Sequence, residues 1–199
     1  MDRTERRQAW EELSRTYAER RDPTGSDADL IADLLETLPS DPLVLDVGCG
    51  DGARTLANLP PGSLGLDFAR EGLSLAAETV PAARLVQGDM TRLPLAERSV
   101  DAITAYHSVF HVPRDRQPTV YEEFARVLKP GGTLLMTLPG GRFETVRRGW
   151  MGGQMFFSAP GRDATLAHLQ EAGFTDRRTE TAADPLGSSS EFVVAELEP

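Results

Sequence analysis

Three glycines at alternate positions sit among two carboxylates in Asp46-Val47-Gly48-Cys49-Gly50-Asp51-Gly52, directly after the apolar run Leu43-Val44-Leu45. Glycine reaches backbone conformations closed to other residues and lets a ligand approach the bare chain. Between a strand and a helix, such a loop lies where open α/β sheets bind nucleotide-like ligands. Its spacing discriminates among them. Dinucleotide sites read G-x-G-x-x-G, and here the third glycine falls one residue early. Asp46 and Asp51 would repel a pyrophosphate but suit an ammonium or sulfonium group. No Gly-Lys-Ser/Thr follows, which excludes a triphosphate-binding P-loop. Two later apolar runs also end in acids, Leu64-Gly65-Leu66-Asp67 and Leu85-Val86-Gln87-Gly88-Asp89-Met90. Asp67 stands where a carboxylate can accept both ribose hydroxyls. Asp89 can accept from an exocyclic adenine amine while Met90 packs on the ring. Any one such acid can merely close a turn; three at successive strand ends argue for a ligand.

Two of the three histidines, His107 and His111, follow the next apolar run within Tyr106-His107-Ser108-Val109-Phe110-His111. An ordinary pKa of about 6.5 suits general-base work at neutral pH, with His111 the preferred candidate. The plainer role for either is packing at a helix start or a backbone contact to a ligand. Cys49, the only cysteine, reads as a small loop residue with an inert thiol. No metal is expected, since no group of ligands stands at metal spacing.

The elements that must position these residues are legible as patterns. Trp10, Leu13 and Tyr17 recur at helical steps within 5–21, and Leu30, Ile31, Leu34 and Leu35 do so within 28–38, with Ser26 or Asp27 as the cap. Short apolar runs at 43–47, 63–67, 84–88, 100–105 and 133–138 then alternate with predicted helices at 53–58, 70–79 and 117–128. That alternation predicts a mostly parallel sheet with helices on both faces. A helix at 162–172 and two strands at 174–181 and 191–197, joined by a turn at 187–190, complete a seven-stranded sheet. The last strand is expected to be antiparallel. Residues 140–160 exceed a simple crossover and predict a loop that could cover a bound acceptor. It carries Trp150, Met155 and Phe156 as candidate substrate contacts; a hydrophobic plug or a dimer contact is the alternative.

The chain has 199 residues, 40% of them apolar and 26% charged, which predicts one soluble globular domain. No run of about 18 apolar residues occurs, so no membrane partner is expected. The charged opening Met1-Asp2-Arg3-Thr4-Glu5-Arg6-Arg7 does not resemble a secretory signal, and a cytosolic protein is expected. The net charge of −10 argues against nucleic acid as a partner.

Taken together, Val44–Gly52, Leu66-Asp67, Gly88-Asp89-Met90 and Val127-Leu128-Lys129-Pro130-Gly131-Gly132 resemble the motifs of class I S-adenosylmethionine-dependent methyltransferases. The resemblance implies an α/β, Rossmann-like, seven-stranded sheet with S-adenosylmethionine laid across the strand ends. It implies Asp46, Gly48, Cys49 and Gly50 beside the cofactor's amino-acid part, Asp67 on the ribose, and Phe68, Asp89 and Met90 around the adenine. Tyr106 joins this set from the fourth strand. In similar enzymes N-terminal helices fold over the cofactor; here Tyr17 could reach its carboxylate, and Arg20 or Arg21 could pair with it. Nucleic-acid amino-methylating members usually carry an Asn/Asp-Pro-Pro-aromatic tetrapeptide where this chain has Tyr106-His107-Ser108-Val109. A small, apolar or aromatic metabolite is therefore the expected substrate of a monomer or homodimer. The single domain 1–199 divides into a helical cap (1–40), a cofactor core (41–139), a substrate loop (140–161) and a C-terminal helix and hairpin (162–199). Two other readings stay open: a protein of this fold that binds S-adenosylmethionine without transferring methyl groups, and a nicotinamide-dependent oxidoreductase. The early third glycine and Asp89 weaken the latter.

Overall fold

Parallel strands need crossovers, and helices packed on both faces of the sheet supply them. The computed structural model describes residues 1–21, 25, 27–183 and 189–199, the side chains of Asp27, Asp176 and Arg177 excepted. It opens with helices α1 (Arg3–Arg20) and α2 (Asp27–Thr37). Then follow β1 (Val44–Val47), β2 (Leu64–Asp67), α3 (Arg70–Thr79), β3 (Arg84–Gln87), β4 (Val100–Ala105), α4 (Gln117–Val127) and β5 (Leu128–Leu138). The chain ends with β6 (Arg142–Trp150), β7 (Gly153–Pro160), α5 (Arg162–Glu171), β8 (Phe174–Ala183) and β9 (Ser189–Leu197). The main sheet has seven strands in the order β3-β2-β1-β4-β5-β9-β8. Strands β1 to β5 pair in parallel, and β9 runs antiparallel between β5 and β8.

Alternation along the central strands divides the core into two layers. Leu45, Val47, Ile103, Leu134 and Met136 face α4 and α5, packing with Tyr121, Phe124 and Leu169. Val44, Ala102 and Leu135 face the opposite way, onto Leu30, Ile31 and Leu34 of α2 and Leu73 of α3. Helices on both faces are thus what the apolar runs require. The strand order reverses between β1 and β4, which opens a crevice beyond their carboxyl ends. The Lys129-Pro130-Gly131-Gly132 segment forms a bulge within β5, because Val100 pairs with Leu128 while Ala102 pairs with Thr133.

Two expectations are corrected. The predicted helix at 53–58 is only a 3₁₀ turn, Leu56–Asn58. Gly52, at φ +75°, and Pro60-Pro61 leave too short a span for a full helix. The expected substrate loop at 140–161 is a β-hairpin, with β6 paired to β7 from Arg142↔Pro160 to Trp150↔Gly153. Its turn residues, Met151 and Gly152, both have positive φ, as the tightest hairpin turns require. Glu144, Arg147 and Arg148 fall on β6, where exposure leaves no alternating apolar signal to read. The expected cap of α2 and the first two residues of the expected turn at 187–190 lie outside the described residues, while Ser189 and Ser190 begin β9.

Helix α1 packs across α3 and β7 rather than in either core layer. Glu11 docks it by accepting the backbone N–H groups of Arg70 and Glu71, each at 2.9 Å. Those are free donors at the start of α3, whose own capping residue, Ala69, offers no side-chain acceptor. Arg15 adds an ion pair to Glu71 at 2.7 Å.

The glycine loop separates two physical demands. Gly48 and Gly50 have φ of +76° and +54°, so alanine at either is strained by about 1 kcal/mol. A Cβ on Gly48 would lie 2.3 Å from Ser108 Cβ, whereas one on Gly50 meets nothing within 4 Å. Gly48→Ala is therefore expected to lower the urea midpoint well beyond Gly50→Ala, which shows the backbone cost alone.

Candidate active site

The strand-end crevice is a cavity of about 720 Å³ that runs beneath α1 and the hairpin. Gly48, Cys49, Gly50, Asp67, Phe68, Asp89 and Met90 line one end, and Trp10, His111 and Trp150 the other, with Tyr17, Tyr106 and His107 also on its wall. The loop after β1 is held against the end of β2. Gly48 and Cys49 donate backbone N–H groups to Leu66 O at 2.7 and 3.1 Å. Gly50 N–H donates to Asp67 Oδ2 at 2.8 Å, and Ala69 N–H to Asp67 Oδ1 at 2.8 Å. Burial raises the Asp67 carboxyl above the ordinary carboxylate range, against the lowering effect of these N–H bonds. A carboxylate offers about four acceptor positions, so Asp67 keeps capacity for the two donors of a ribose diol.

The carboxylates flanking the glycines have other partners. Asp46 lies behind the loop, outside the cavity lining, and is fully buried. It accepts hydroxyl bonds from Thr55 and, at 2.8 Å, from Thr104. Burial pushes its pKa up to about 6, although both hydroxyl bonds pull it down. Asp51 is paired with the buried guanidinium of Arg21. Arg20 is exposed, so of the two arginines Arg21 is the one at the site. The Cys49 thiol is pushed up by burial and by the nearby Asp67 and Asp46 charges, which makes it a poor nucleophile.

At the end lined by Phe68 and Met90, Asp89 accepts from Arg3 Nε at 2.7 Å and from the Thr91 amide and hydroxyl at 2.9 and 2.7 Å. Burial alone would raise its pKa, but these partners hold it below the ordinary range. The Arg3 guanidinium also lies 5.0 Å from the centre of the Phe68 ring. No motif announces Arg3; only the tertiary placement of α1 brings it here.

The opposite end is aromatic. The His111 ring packs 5.0 Å from Trp10, 4.8 Å from Phe110 and 4.9 Å from Phe157, centre to centre. Its Nδ1 lies 2.8 Å from Phe156 O, a contact that assigns the Nδ1–H tautomer and leaves the Nε2 lone pair. Burial lowers its pKa to about 4; the Phe156 carbonyl opposes this and the charge of Arg6 adds to it. His107 is held at φ +51°, with its N–H on Thr137 Oγ1 at 2.9 Å and its ring against Phe110 and Phe192. Trp150 packs on Tyr17 and Phe157 at 5.7 and 5.5 Å.

Met155 and Phe156 are not on the cavity wall. Met155 is buried beneath Ala9 and Leu13 of α1, and the Phe156 ring meets the Arg6 guanidinium at 5.4 Å. Phe157 of β7 and Phe143 of β6 line the cavity instead. Trp10, Phe110 and Arg6 are further wall residues absent from the motif reading. Trp10 and Phe110 carry only the periodicity of ordinary core positions. Among the described residues, no three His, Cys, Asp or Glu side chains are grouped to hold a metal ion.

His111 is expected to stay neutral at physiological pH, with an NMR titration midpoint of about 4. Arg6→Gln should move that midpoint upward by removing a positive charge. Because the folded value lies below the unfolded one, the stability contributed by neutral His111 is complete above about pH 6.5. It falls away as pH drops toward the folded midpoint. Urea midpoints of His111→Phe against pH should lack that decline.

Residues 45–136 match the sequence family described as "Methyltransferase domain". The chain is 38% identical over 126 residues to the biotin biosynthesis bifunctional protein BioHC of Cellvibrio japonicus, covering 60% of this chain and 25% of that one. Across the first curated relatives, the match spans from 25% to 49% of their length. The crystal structure of the PH0226 protein from Pyrococcus horikoshii superposes with a TM-score of 0.72 at 19% identity, covering 94% of this chain and 99% of that one. Magnesium protoporphyrin IX methyltransferase from Synechocystis, solved with bound SAH, superposes with a TM-score of 0.67 at 17% identity, covering 87% and 83%. The two structures speak for the fold, and the sequence match covers the strands and loops that carry the motifs. The chain thus carries a sequence match to a methyltransferase domain over residues 45–136 and shares its fold with a solved S-adenosylhomocysteine-bound methyltransferase.

Proposed function

We propose that the chain transfers the methyl group of S-adenosylmethionine to a small, apolar or aromatic acceptor held beneath α1 and the β6–β7 hairpin. One observation carries this reading: a single cavity joins the acidic strand ends to an aromatic chamber around His111. Its volume of about 720 Å³ lies within the range of about 300–1,000 Å³ usual for ligand sites.

The residues present fit the cofactor. Asp67 would accept the ribose hydroxyls, Phe68 and Met90 would flank the adenine, and Asp89 would accept from its amine. The open backbone at Gly50, with Gly48, Cys49, Tyr17 and Tyr106, would hold the amino-acid part. Asp46 acts from behind, shaping the loop through Thr55 and Thr104. When bound, S-adenosylmethionine supplies an electrophilic methyl group on a sulfonium centre.

The chain's own contribution is to position the acceptor and exclude water. Trp10, Phe110, Trp150 and Phe157 form apolar walls for it. Neutral His111 offers Nε2 as a hydrogen-bond acceptor, and its low basicity suits orienting an O–H or N–H better than keeping the proton. His107, packed between Phe110 and Phe192, is the lesser candidate. A net charge of −10 supports a small molecule over nucleic acid. No helix among the described residues is long and apolar enough to cross a membrane, which supports a cytosolic setting.

Calorimetry with S-adenosylhomocysteine and NAD, followed by turnover with a panel of aromatic and apolar hydroxyl and amine compounds, tests this reading. S-adenosylhomocysteine should bind and NAD should not, and Asp67→Ala should weaken binding about tenfold or more, roughly 1.4 kcal/mol. At least one acceptor should yield S-adenosylhomocysteine, at a rate that Trp150→Ala and His111→Ala both lower. Binding without turnover on any acceptor would instead mark a cofactor-binding protein.

A further inference from the structure

We infer that the acceptor is an anion, an apolar or aromatic body bearing a carboxylate that Arg6, Arg116 and Arg147 receive. The inference rests on the small-acceptor reading above and adds the charge of the molecule. Acids outnumber bases in the chain, 31 to 21. On the cavity wall the order is reversed: Arg3, Arg6, Arg21, Arg54, Arg116 and Arg147 face only Asp51, Asp67 and Asp89. Such a reversal inside one cavity is a local feature that composition does not produce.

The three acids are engaged at the cofactor end. Asp89 is paired with Arg3 and Asp51 with Arg21, while Asp67 accepts backbone N–H groups. Arg6, Arg116 and Arg147 have no carboxylate within ion-pair distance among the described residues. Arg6 donates to the Met1 carbonyl at 3.0 Å, a neutral partner, and its strongest charge partner, Asp89, is already bonded to Arg3. The acids nearest this end lie off the wall or are occupied. Asp89, the acid that acts most on Arg6, is taken by Arg3 and Thr91, while Asp2 and Asp115 act on Arg6 without lining the cavity. Glu144 takes the Ser158 hydroxyl at 3.0 Å and sits 3.9 Å from Arg114.

The aromatic surroundings sharpen this charge preference. A chamber of Trp, Phe and His rings can serve a cationic ligand through the ring faces. Here the chain's own cations already sit on the rings around it, with Arg147 4.8 Å from the centre of the wall residue Phe157 and Arg6 5.4 Å from that of Phe156, which lies off the wall. A second cation would meet three like charges. A carboxylate would meet guanidinium forks suited to bidentate bonds, beside apolar walls that take the rest of the molecule. Stacking on the rings also restrains the two guanidinium groups, so less freedom is lost on binding.

Calorimetric titration of the full chain saturated with S-adenosylhomocysteine, using 2-naphthoate, 2-naphthamide and 2-naphthylmethylammonium, tests the inference. The carboxylate is expected to bind about tenfold more tightly than the amide, with the ammonium compound weakest. The preference should shrink to within about twofold in Arg116→Gln/Arg147→Gln, whose exposed side chains leave the fold intact, and decrease in Arg6→Gln. On the unaltered protein it should also weaken as ionic strength rises, a measurement that depends on no variant. Binding of the three probes without regard to charge, or a preference that survives in the double variant, would overturn the inference alone. Failure of all three to bind would overturn the small-acceptor reading together with it.

Discussion

A buried carboxylate fixes the geometry on which the cavity depends. Asp46 sits at the end of β1, and its two oxygens are satisfied by hydroxyls from β4 and from the turn beyond the glycines. An unpaired charge at that depth would cost several kcal/mol, so the three segments are held in one arrangement. With Thr55 and Thr104 tied to the same side chain, the intervening loop has no choice but to project over the strand ends. Gly48 pressed against Ser108 closes the loop from the other side. The acid that invites comparison with a ligand contact is therefore a brace, and the ligand-facing surface is the backbone it supports.

The cavity is built from two kinds of structure. Its floor consists of strand ends and short turns, whose positions follow from the sheet register. Its roof consists of α1 and the hairpin, attached to that floor by aromatic packing and a few charged contacts. Trp10, Tyr17 and Trp150 join helix to hairpin directly. Under the proposed function, the floor would hold the cofactor and the roof would select among acceptors. This division accounts for the contrast between a floor rich in recognisable motifs and a roof with none.

That contrast also explains what could be read in advance. Strands such as Val100–Ala105 and helices such as Arg70–Thr79 follow from local apolar patterns that their tertiary setting reinforces. The acids at Asp67 and Asp89 were legible because strand ends converge in any open parallel sheet. Arg3 was not, since its partner lies 86 residues away and no local pattern selects it. The hairpin was hidden because β6 is exposed and charged, which removes the alternation that marks a half-buried strand. Trp150 was a readable large side chain. Met155 and Phe156 show that composition alone cannot tell which neighbour on a strand faces a cavity, since that depends on register and on how the hairpin leans against α1.

The contact between Glu11 and the start of α3 gives the roof a further property. Because the helix below lacks a side-chain acceptor of its own, α1 completes its first turn with two charge-assisted bonds. Lifting the roof would return those amides to solvent and loosen the same turn that follows Asp67 and Phe68. Access to the chamber and order around Asp67 and Phe68 are thus mechanically joined, and the amides of Arg70 and Glu71 are natural gauges of whether the enclosure is shut.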